Sequence, residues 1–393
     1  MAVTLTIDIA AVRHNVAALS GRLASRGISV VGVTKAVDGE PDAGRAMLAG
    51  GAIALADSRL PALARLADHG LGPRMLIRPP QHDELDQAAR IADAVLLSDL
   101  STARALSRRN RGRPQALYLI VDMGDRRDGV LPDDAGALAR QVSGLAGFEL
   151  TGVAVNFACL SGLQPSASLF GAAEAVLDDV ATWCRREPIL SIGGTYCLPH
   201  LLDGERAFRP RRRCTIRLGA GLYFGHYTLP DVDPVGGLLR ADPVLTATVI
   251  EARFKPGPPP GAIGPDSFGH VPACSLPDGP SQHVLLAMGR RESEPRCLRP
   301  MLPDARVVGM SSDHTLLVTS TPLRAGDTVD FALDYEGLVR AMTSPYVRKV
   351  FLDAHYCSVE RDGLRAAGRL GSGGAGTTAG LAAAVGYAAR TLA

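Results

Sequence analysis

Eight short, β-branched apolar runs recur between residues 29 and 218, separated by stretches of Ala, Leu and Arg at helical spacing. The runs are 29–33 (ISVVG), 52–55 (AIAL), 74–78 (RMLIR), 94–97 (AVLL), 116–121 (ALYLIV), 149–156 (ELTGVAVN), 188–191 (PILS) and 215–218 (TIRL). The clearest helical stretches are 41–49, 57–69, 83–92, 99–110, 133–146 and 168–185. Asp57, Asp83 and Asp99 stand where N-caps or first-turn acids are expected. Strands that are apolar almost throughout, with helices between them, imply a parallel sheet covered on both faces. Eight of them within about 200 residues is the count of a closed (β/α)8 barrel. An open doubly wound sheet has the same periodicity and is the competing architecture.

The texture changes after about residue 230. Strand-like segments at 243–253, 283–288, 305–310, 314–319 and 327–332 follow one another without long helices, and PGPPPG at 256–261 forbids regular helix or a central strand there. The sequence therefore predicts an α/β chain. A TIM-type barrel over 1–230 is followed by a smaller all-β domain over 231–354, with an N-terminal strand at 3–8. A Gly/Ala-rich tail spans 355–393 and reads as a flexible linker with a short Ala-rich helix. A length of 393 residues agrees with two domains.

Composition serves mainly to exclude. Forty-two Lys and Arg against 40 Asp and Glu leave a net charge of +2, which gives no reason to expect a nucleic-acid partner. No apolar stretch approaches the roughly 20 residues of a membrane span, and the opening MAVTLTIDIAAVRHN lacks the basic lead of a signal peptide. The seven cysteines (Cys159, Cys184, Cys197, Cys214, Cys274, Cys297, Cys357) are scattered, odd in number and never paired as CxxC. That pattern predicts reduced thiols, a cytoplasmic location and no bound metal.

Functional groups of such barrels sit just past the C-terminal ends of the strands. Lys35 directly follows the first strand (VVGVTKA). It reads as a surface lysine at a loop start or as an amine in a partly desolvated pocket, suited to Schiff-base chemistry. The fifth strand ends in VDMGDRRDG (121–129), with Arg126 and Arg127 among acids, and the sixth ends at Asn156, followed by Phe157 and Cys159. The first reads equally as an ion-paired loop and the second as a capped strand end. The seventh strand runs into SIGGTYCLPHL, with Gly194 and Thr195, and the eighth into IRLGAGLYFG, with Arg217, Gly219 and Gly221. Gly-rich turns after strands seven and eight are where barrels of this type commonly hold phosphate. The basic run RPRRR (209–213) is a further anion candidate or a solvated loop.

Taken in order and spacing, GVTKAVDGEP (32–41), IALADSR (53–59), VDMGDRRDG (121–129), GVAVNFAC (152–159), GGTYCLP (193–199), IRLGAGLYFG (216–225), GAIGPDSFG (261–269), GRRESEP (289–295), GMSSDH (309–314) and RAMTSPYVRKV (340–350) resemble the fold-type III pyridoxal-phosphate enzymes. The family is that of alanine racemase, and the branch the ornithine racemase-like one. The resemblance implies a pyridoxal 5'-phosphate barrel with a β domain and a homodimer in which each β domain completes the partner's site. It implies that Lys35 carries the cofactor, that Thr195, Gly194, Gly219 and Gly221 hold its phosphate, and that Arg217 faces the pyridine nitrogen. Arg127 then contacts the cofactor hydroxyl or the substrate carboxylate, and Asn156 takes the place of a histidine under the ring. Cationic Arg217 disfavours protonating that nitrogen and so weakens the ring as an electron sink.

Racemisation needs a proton donor or acceptor on each face of Cα. Lys35 supplies one. Alanine racemase supplies the other as a tyrosine from the partner's β domain, yet no tyrosine lies between Tyr227 and Tyr335. Asp313 and His314 are the best substitutes, ahead of Asp266 and Glu292; alternatively Asp313 binds a distal ammonium. Ala220 stands where the ornithine branch has an acid, which puts ornithine itself in question. The expected activity is a pyridoxal-phosphate-dependent amino-acid racemase acting by Cα proton abstraction on a small amino acid. A decarboxylase, aldolase or dehydratase of the same fold is the alternative, and a non-catalytic pyridoxal-phosphate-binding protein a third.

Overall fold

The computed structural model describes residues 3–110, 112, 114–202, 207–226, 236–269, 271 and 276–353. The tail at 355–393, Cys274 and Cys357 lie outside the described residues. The chain opens with strand β1 (Val3–Asp8) and helix α1 (Ile9–Ala24), which the Asp8 side chain caps by accepting from Ala11 N. Eight strands follow: β2 (Ile28–Val33), β3 (Ala54–Asp57), β4 (Arg74–Leu76), β5 (Ala94–Leu97), β6 (Gln115–Asp122), β7 (Phe148–Asn156), β8 (Ile189–Gly193) and β9 (Cys214–Leu218). They pair in parallel in sequence order, and β9 pairs back onto β2 from Ile28↔Cys214 to Gly32↔Leu218. That last pairing closes the barrel and excludes the open sheet.

Helices α2 (Pro41–Ala49), α3 (Leu60–Asp68), α4 (Leu85–Ile91), α5 (Leu100–Arg109), α6 (Ala135–Val142), α7 (Ala167–Ala181), α8 (Leu198–Leu202) and α9 (Ala220–Phe224) alternate with these strands. The near-continuous apolar character of the strands is explained by burial on both sides. Val31, Val33, Ala56, Met75, Leu96, Tyr118, Ile120 and Ala154 fill the barrel interior, a cluster separate from the layer under the helices. Asp99 caps α5 as expected, accepting from Thr102 N, and these contacts with the Ser101 and Thr102 hydroxyls hold its carboxyl down at about 2. Asp57 is not a cap: β3 runs on to include it, and α3 starts three residues later. Asp83 lies in a 3-10 turn (His82–Glu84) whose capping box is made by Gln81 and Glu84.

The second sheet holds β10 (Val244–Lys255), β11 (Ser281–Leu286), β12 (Leu298–Pro300), β13 (Arg306–Met310), β14 (Thr315–Val318), β15 (Thr328–Leu333) and β16 (Val347–Leu352). Its main path runs β12-β15-β10-β11-β14-β13, and β1 joins it, antiparallel to β10 and parallel to β16. The strict in–out burial of β1 and of the first half of β10 is that of a sheet with one wetter face. A helix, α10 (Tyr335–Thr343), interrupts the strands, with Asp334 as its N-cap accepting from Gly337 N. The sequence pattern had no helix there. Buried Asn15 of α1 ties the two parts together: its Nδ2 donates to Leu222 O at 3.1 Å and Leu239 O at 3.0 Å, and its Oδ1 accepts from Leu239 N at 2.7 Å.

Candidate active site

A cavity of about 700 Å3 opens at the C-terminal ends of the barrel strands. Lys35 lines it from the 3-10 turn (Lys35–Val37) that follows β2, a turn against which α10 packs. The residue before it is locked. Thr34 donates its N–H to Ala56 O at 2.9 Å and its hydroxyl to Asp57 Oδ2 at 2.7 Å, while Asp57 Oδ1 accepts from Arg59 N at 3.0 Å. Asp57 is almost wholly buried, and that burial raises its pKa. Lys35 itself is exposed at the cavity mouth rather than desolvated, and among the described residues its amine has no hydrogen-bond or ion-pair partner.

Two guanidinium groups meet on the far wall. Arg217, buried inside the barrel, donates from Nη1 to Ser191 O at 2.8 Å and Oγ at 2.6 Å, and from Nη2 to Val155 O at 3.0 Å. Burial brings its pKa down to about 10, so it stays cationic at neutral pH. Arg127 Nε donates to Asp128 Oδ1 at 2.7 Å, with buried Asp125 at 3.8 Å. Burial acts to lower the Arg127 pKa, but the hydrogen bond and charge of Asp128 override it and leave it raised. Asn156 stands between these groups. A guanidinium only donates and a carbonyl only accepts, so the amide nitrogen of Asn156 faces Gly193 O at 3.0 Å and its oxygen faces Arg127 Nη2 at 3.2 Å.

The two Gly-rich turns close the site on the side of β8 and β9. Gly194 has φ of +106°, a backbone conformation costly for any residue with a Cβ. A Cβ on Gly193 would fall on the Asn156 amide and 2.5 Å from Arg217 Nη2. Thr195 Oγ1 accepts from Gly221 N at 3.1 Å and so joins the turns, with Gly219 beside them on the wall. Thr195 and Ala220 each begin a helical turn, and their N–H groups have no intrahelical acceptor. A hydroxyl, open N–H groups and two arginines nearby form a cradle for an anion.

Of the residues expected from sequence, Lys35, Arg127, Asn156, Gly194, Thr195, Arg217 and Gly219 line this one cavity, and Gly221 braces it through Thr195. Asp313 and His314 do not: they sit exposed in the turn between β13 and β14, where Asp313 pairs with Arg291 at 3.6 Å. Neither Asp266 nor Glu292 reaches the cavity; Glu292 is buried and accepts from Gly289 N at 2.8 Å. Two arginines of the RPRRR run are spent on α7, Arg211 bound to Glu174 and Asp178, and Arg212 to Asp178. Sequence reasoning missed several residues of the wall, three of which stand out. Tyr196 follows Thr195. Tyr335 opens the unexpected α10, and burial pushes its phenol up to about 12. Arg78 stands just past β4, at the same kind of strand end that singled out Lys35.

The comparisons with known proteins point one way. Residues 7–226 match the family described as alanine racemase, N-terminal domain. The chain is 29% identical over 358 residues to the lysine racemase of Thermotoga maritima, covering 88% of this chain and 98% of that protein. It is 28% identical over 357 residues to the ornithine racemase of Acetoanaerobium sticklandii, covering 88% and 99%. Among solved structures, the alanine racemase of Streptomyces coelicolor superposes with a TM-score of 0.71 at 19% identity, covering 90% of this chain and 98% of that one. The histidine racemase of Leuconostoc mesenteroides superposes at 0.66 with 17% identity, covering 89% and 98%. These two share the fold.

Proposed function

The chain belongs to the alanine racemase family, and we propose that it is an amino-acid racemase whose barrel mouth holds pyridoxal 5'-phosphate. The observation that carries this reading is the amine of Lys35, without a partner among the described residues, in one cavity with Arg127, Arg217 and the glycine cradle. The cofactor asks for an amine for its aldehyde, donors for its phosphate and a group at its ring nitrogen. Lys35, then Thr195 with the turns at Gly194 and Gly219–Gly221, then Arg217 meet those needs in that order. A Cβ at Gly193 would strike Asn156 and Arg217, and one at Gly221 would strike Thr195, so the two glycines let these residues pack together at the site. Arg127, kept charged by Asp128, is placed for the ring hydroxyl or the substrate carboxylate, with Asn156 orienting it. When bound, the cofactor spreads the negative charge left at Cα after proton removal.

The residues divide the remaining work. Lys35 Nζ takes or returns the Cα proton on one face. Arg217 keeps its charge in place through three hydrogen bonds to β7 and β8, and that charge opposes protonation of the ring nitrogen. Asp313 and His314, remote from their own cavity, serve the opposite face from a second copy of the chain in a homodimer. The sequence relatives make lysine and ornithine the first substrates to assay. Among the described residues no helix is long and apolar enough to cross a membrane, and Cys159, Cys184, Cys197, Cys214 and Cys297 are free thiols. We place the enzyme in the cytoplasm on those grounds.

Incubating the cofactor-loaded protein with single L-amino acids in D2O tests the reading. Enantiomer carrying deuterium at Cα supports it. Release of CO2, ammonia or an aldehyde in place of enantiomer overturns it in favour of a different bond broken.

A further inference from the structure

Among the described residues four cationic side chains line the catalytic cavity: Lys35, Arg127, Arg217 and Arg78. The fourth, Arg78, follows β4. It is built into the site rather than loosely solvated. Its Nη2 donates to both oxygens of Glu84, at 2.9 and 2.7 Å, and Glu84 Oε2 is itself fixed by accepting from Gln81 N at 2.8 Å. The capping box of the 3-10 turn thereby sets the plane of the guanidinium. Its Nε is sealed from solvent, out of a ligand's reach, and has no hydrogen-bond partner among the described residues. Its Nη1 also has no partner among the described residues and, unlike Nε, is not sealed from solvent, so it is the donor open to a ligand in the cavity.

The other arginines differ. Arg217 spends its donors on Ser191 and Val155, and Arg127 spends Nε on Asp128 and Nη2 on Asn156. Among the described residues Arg78 has bonds from Nη2 alone. It also stands in a particular place. In the closed ring, three strands lie between β4 and β8 in either direction, so Arg78 faces the glycine cradle from the opposite side of the mouth. A ligand whose phosphate occupies the cradle turns its other end toward that wall.

We propose that Arg78 is a further anion-binding residue of this cavity, with Glu84 as the residue that positions it. Its ligand is an oxygen anion carried either by the amino acid, as its carboxylate, or by the ring of the cofactor. The inference rests on the racemase reading. No covalent step is involved: a planar guanidinium, anchored on one edge by a carboxylate, offers its open Nη1 to a second anion.

The test uses Arg78→Met, Arg78→Lys and Glu84→Gln beside the wild type. Three quantities are read: the Kd of pyridoxal 5'-phosphate for the apo-proteins by equilibrium dialysis, and the Kd of L-lysine and of cadaverine, its decarboxylated counterpart, for the holo-proteins by cofactor absorbance. If Arg78 takes the substrate carboxylate, Arg78→Met weakens L-lysine by roughly 10- to 100-fold, the loss of one charge-assisted hydrogen bond, and leaves cadaverine unchanged. If it takes the ring oxygen, the cofactor Kd rises by that factor and the two amines shift together. Arg78→Lys, which keeps the charge but not the fork, and Glu84→Gln, which keeps the arginine but loosens its anchor, shift the same Kd in the same direction by less. A folded Arg78→Met protein with all three constants within twofold of wild type overturns the role of Arg78 alone. A wild-type protein that takes up neither cofactor nor amine overturns the racemase reading and this role with it.

Discussion

The hydroxyl of Thr195 accepts the N–H of Gly221 at 3.1 Å, joining the turn after β8 to the first turn of α9. Both residues are buried, and a Cβ on Gly221 would lie 2.8 Å from Thr195 Cγ2, so the two turns are also in close contact. Thr195→Val removes the acceptor but keeps the shape. The orphaned N–H should cost about 1–3 kcal/mol, and the loosened cradle should raise the Kd of pyridoxal 5'-phosphate about tenfold. Thr195→Ser keeps the hydroxyl and should stay within a few-fold of wild type. Thermal unfolding and cofactor titration check both; equal behaviour of the Val and Ser variants would remove this bond from the account.

Gly193 occupies the one point where β8 passes Asn156 and Arg217 without room for a side chain. A Cβ there meets the Asn156 amide and Arg217 Nη2. Arg217 cannot retreat without giving up Ser191 and Val155, nor Asn156 without giving up the Gly193 carbonyl. Gly193→Ala should therefore destabilise the chain by about 1–3 kcal/mol through overpacking. It should also displace Arg127 by way of Asn156. Urea denaturation reads the first effect and cofactor affinity the second. An unchanged midpoint would mean that the β7–β8 edge yields more easily than its hydrogen bonds suggest.

The barrel strands were legible because they are buried on both faces, which leaves apolar runs in the sequence. Closure was not, since it depends on β2 pairing with β9, a relation between segments nearly 190 residues apart that no local pattern records. Asp57 illustrates a local signal overridden by tertiary structure. It precedes a helical stretch as a cap would, yet β3 extends through it and its carboxylate turns inward to Thr34. The brief helix α10 was hidden among strands, although Asp334 and Glu336 form an acidic start that could have flagged it. Arg78 satisfies the strand-end rule that found Lys35. Only its open Nη1 at the cavity wall, invisible in a sequence, sets it apart from an ion-paired loop residue.

Asp57 also gives a pH dependence with a definite sign. Burial raises its folded pKa above the ordinary 3.8 of an aspartate, so the folded chain holds this proton more tightly than the unfolded one. The resulting stabilisation is fully present below the unfolded pKa and is lost as pH rises through the folded pKa. Asp57→Asn can keep every bond: its oxygen accepts from Arg59 N, and its nitrogen donates to Thr34 Oγ1, whose hydrogen turns to Ala56 O at 3.3 Å. The variant should lose that pH-dependent decline while remaining folded. Urea midpoints measured from about pH 4 upward compare the two proteins. Parallel curves for variant and wild type would show that Asp57 does not titrate in this way.

Placing Lys35 and the Asp313–His314 turn in different copies has a consequence that mixing can detect. Asp313 and Arg291 are both more than half exposed, so their ion pair contributes little to stability, and Asp313→Ala with His314→Ala should fold normally. Lys35→Ala, at an exposed side chain without a partner among the described residues, should fold as well. Each protein alone should be inactive in Cα exchange. In a two-fold dimer formed from equal amounts of the two, half the molecules are mixed, and each mixed dimer has one site with both an intact amine and an intact turn. Unfolding and refolding the variants together should then restore about a quarter of the wild-type rate. A turn variant that is fully active by itself removes Asp313 and His314 from the chemistry. Inactivity of both variants with no recovery on mixing removes the second copy, because a turn acting within its own chain could never be complemented by another.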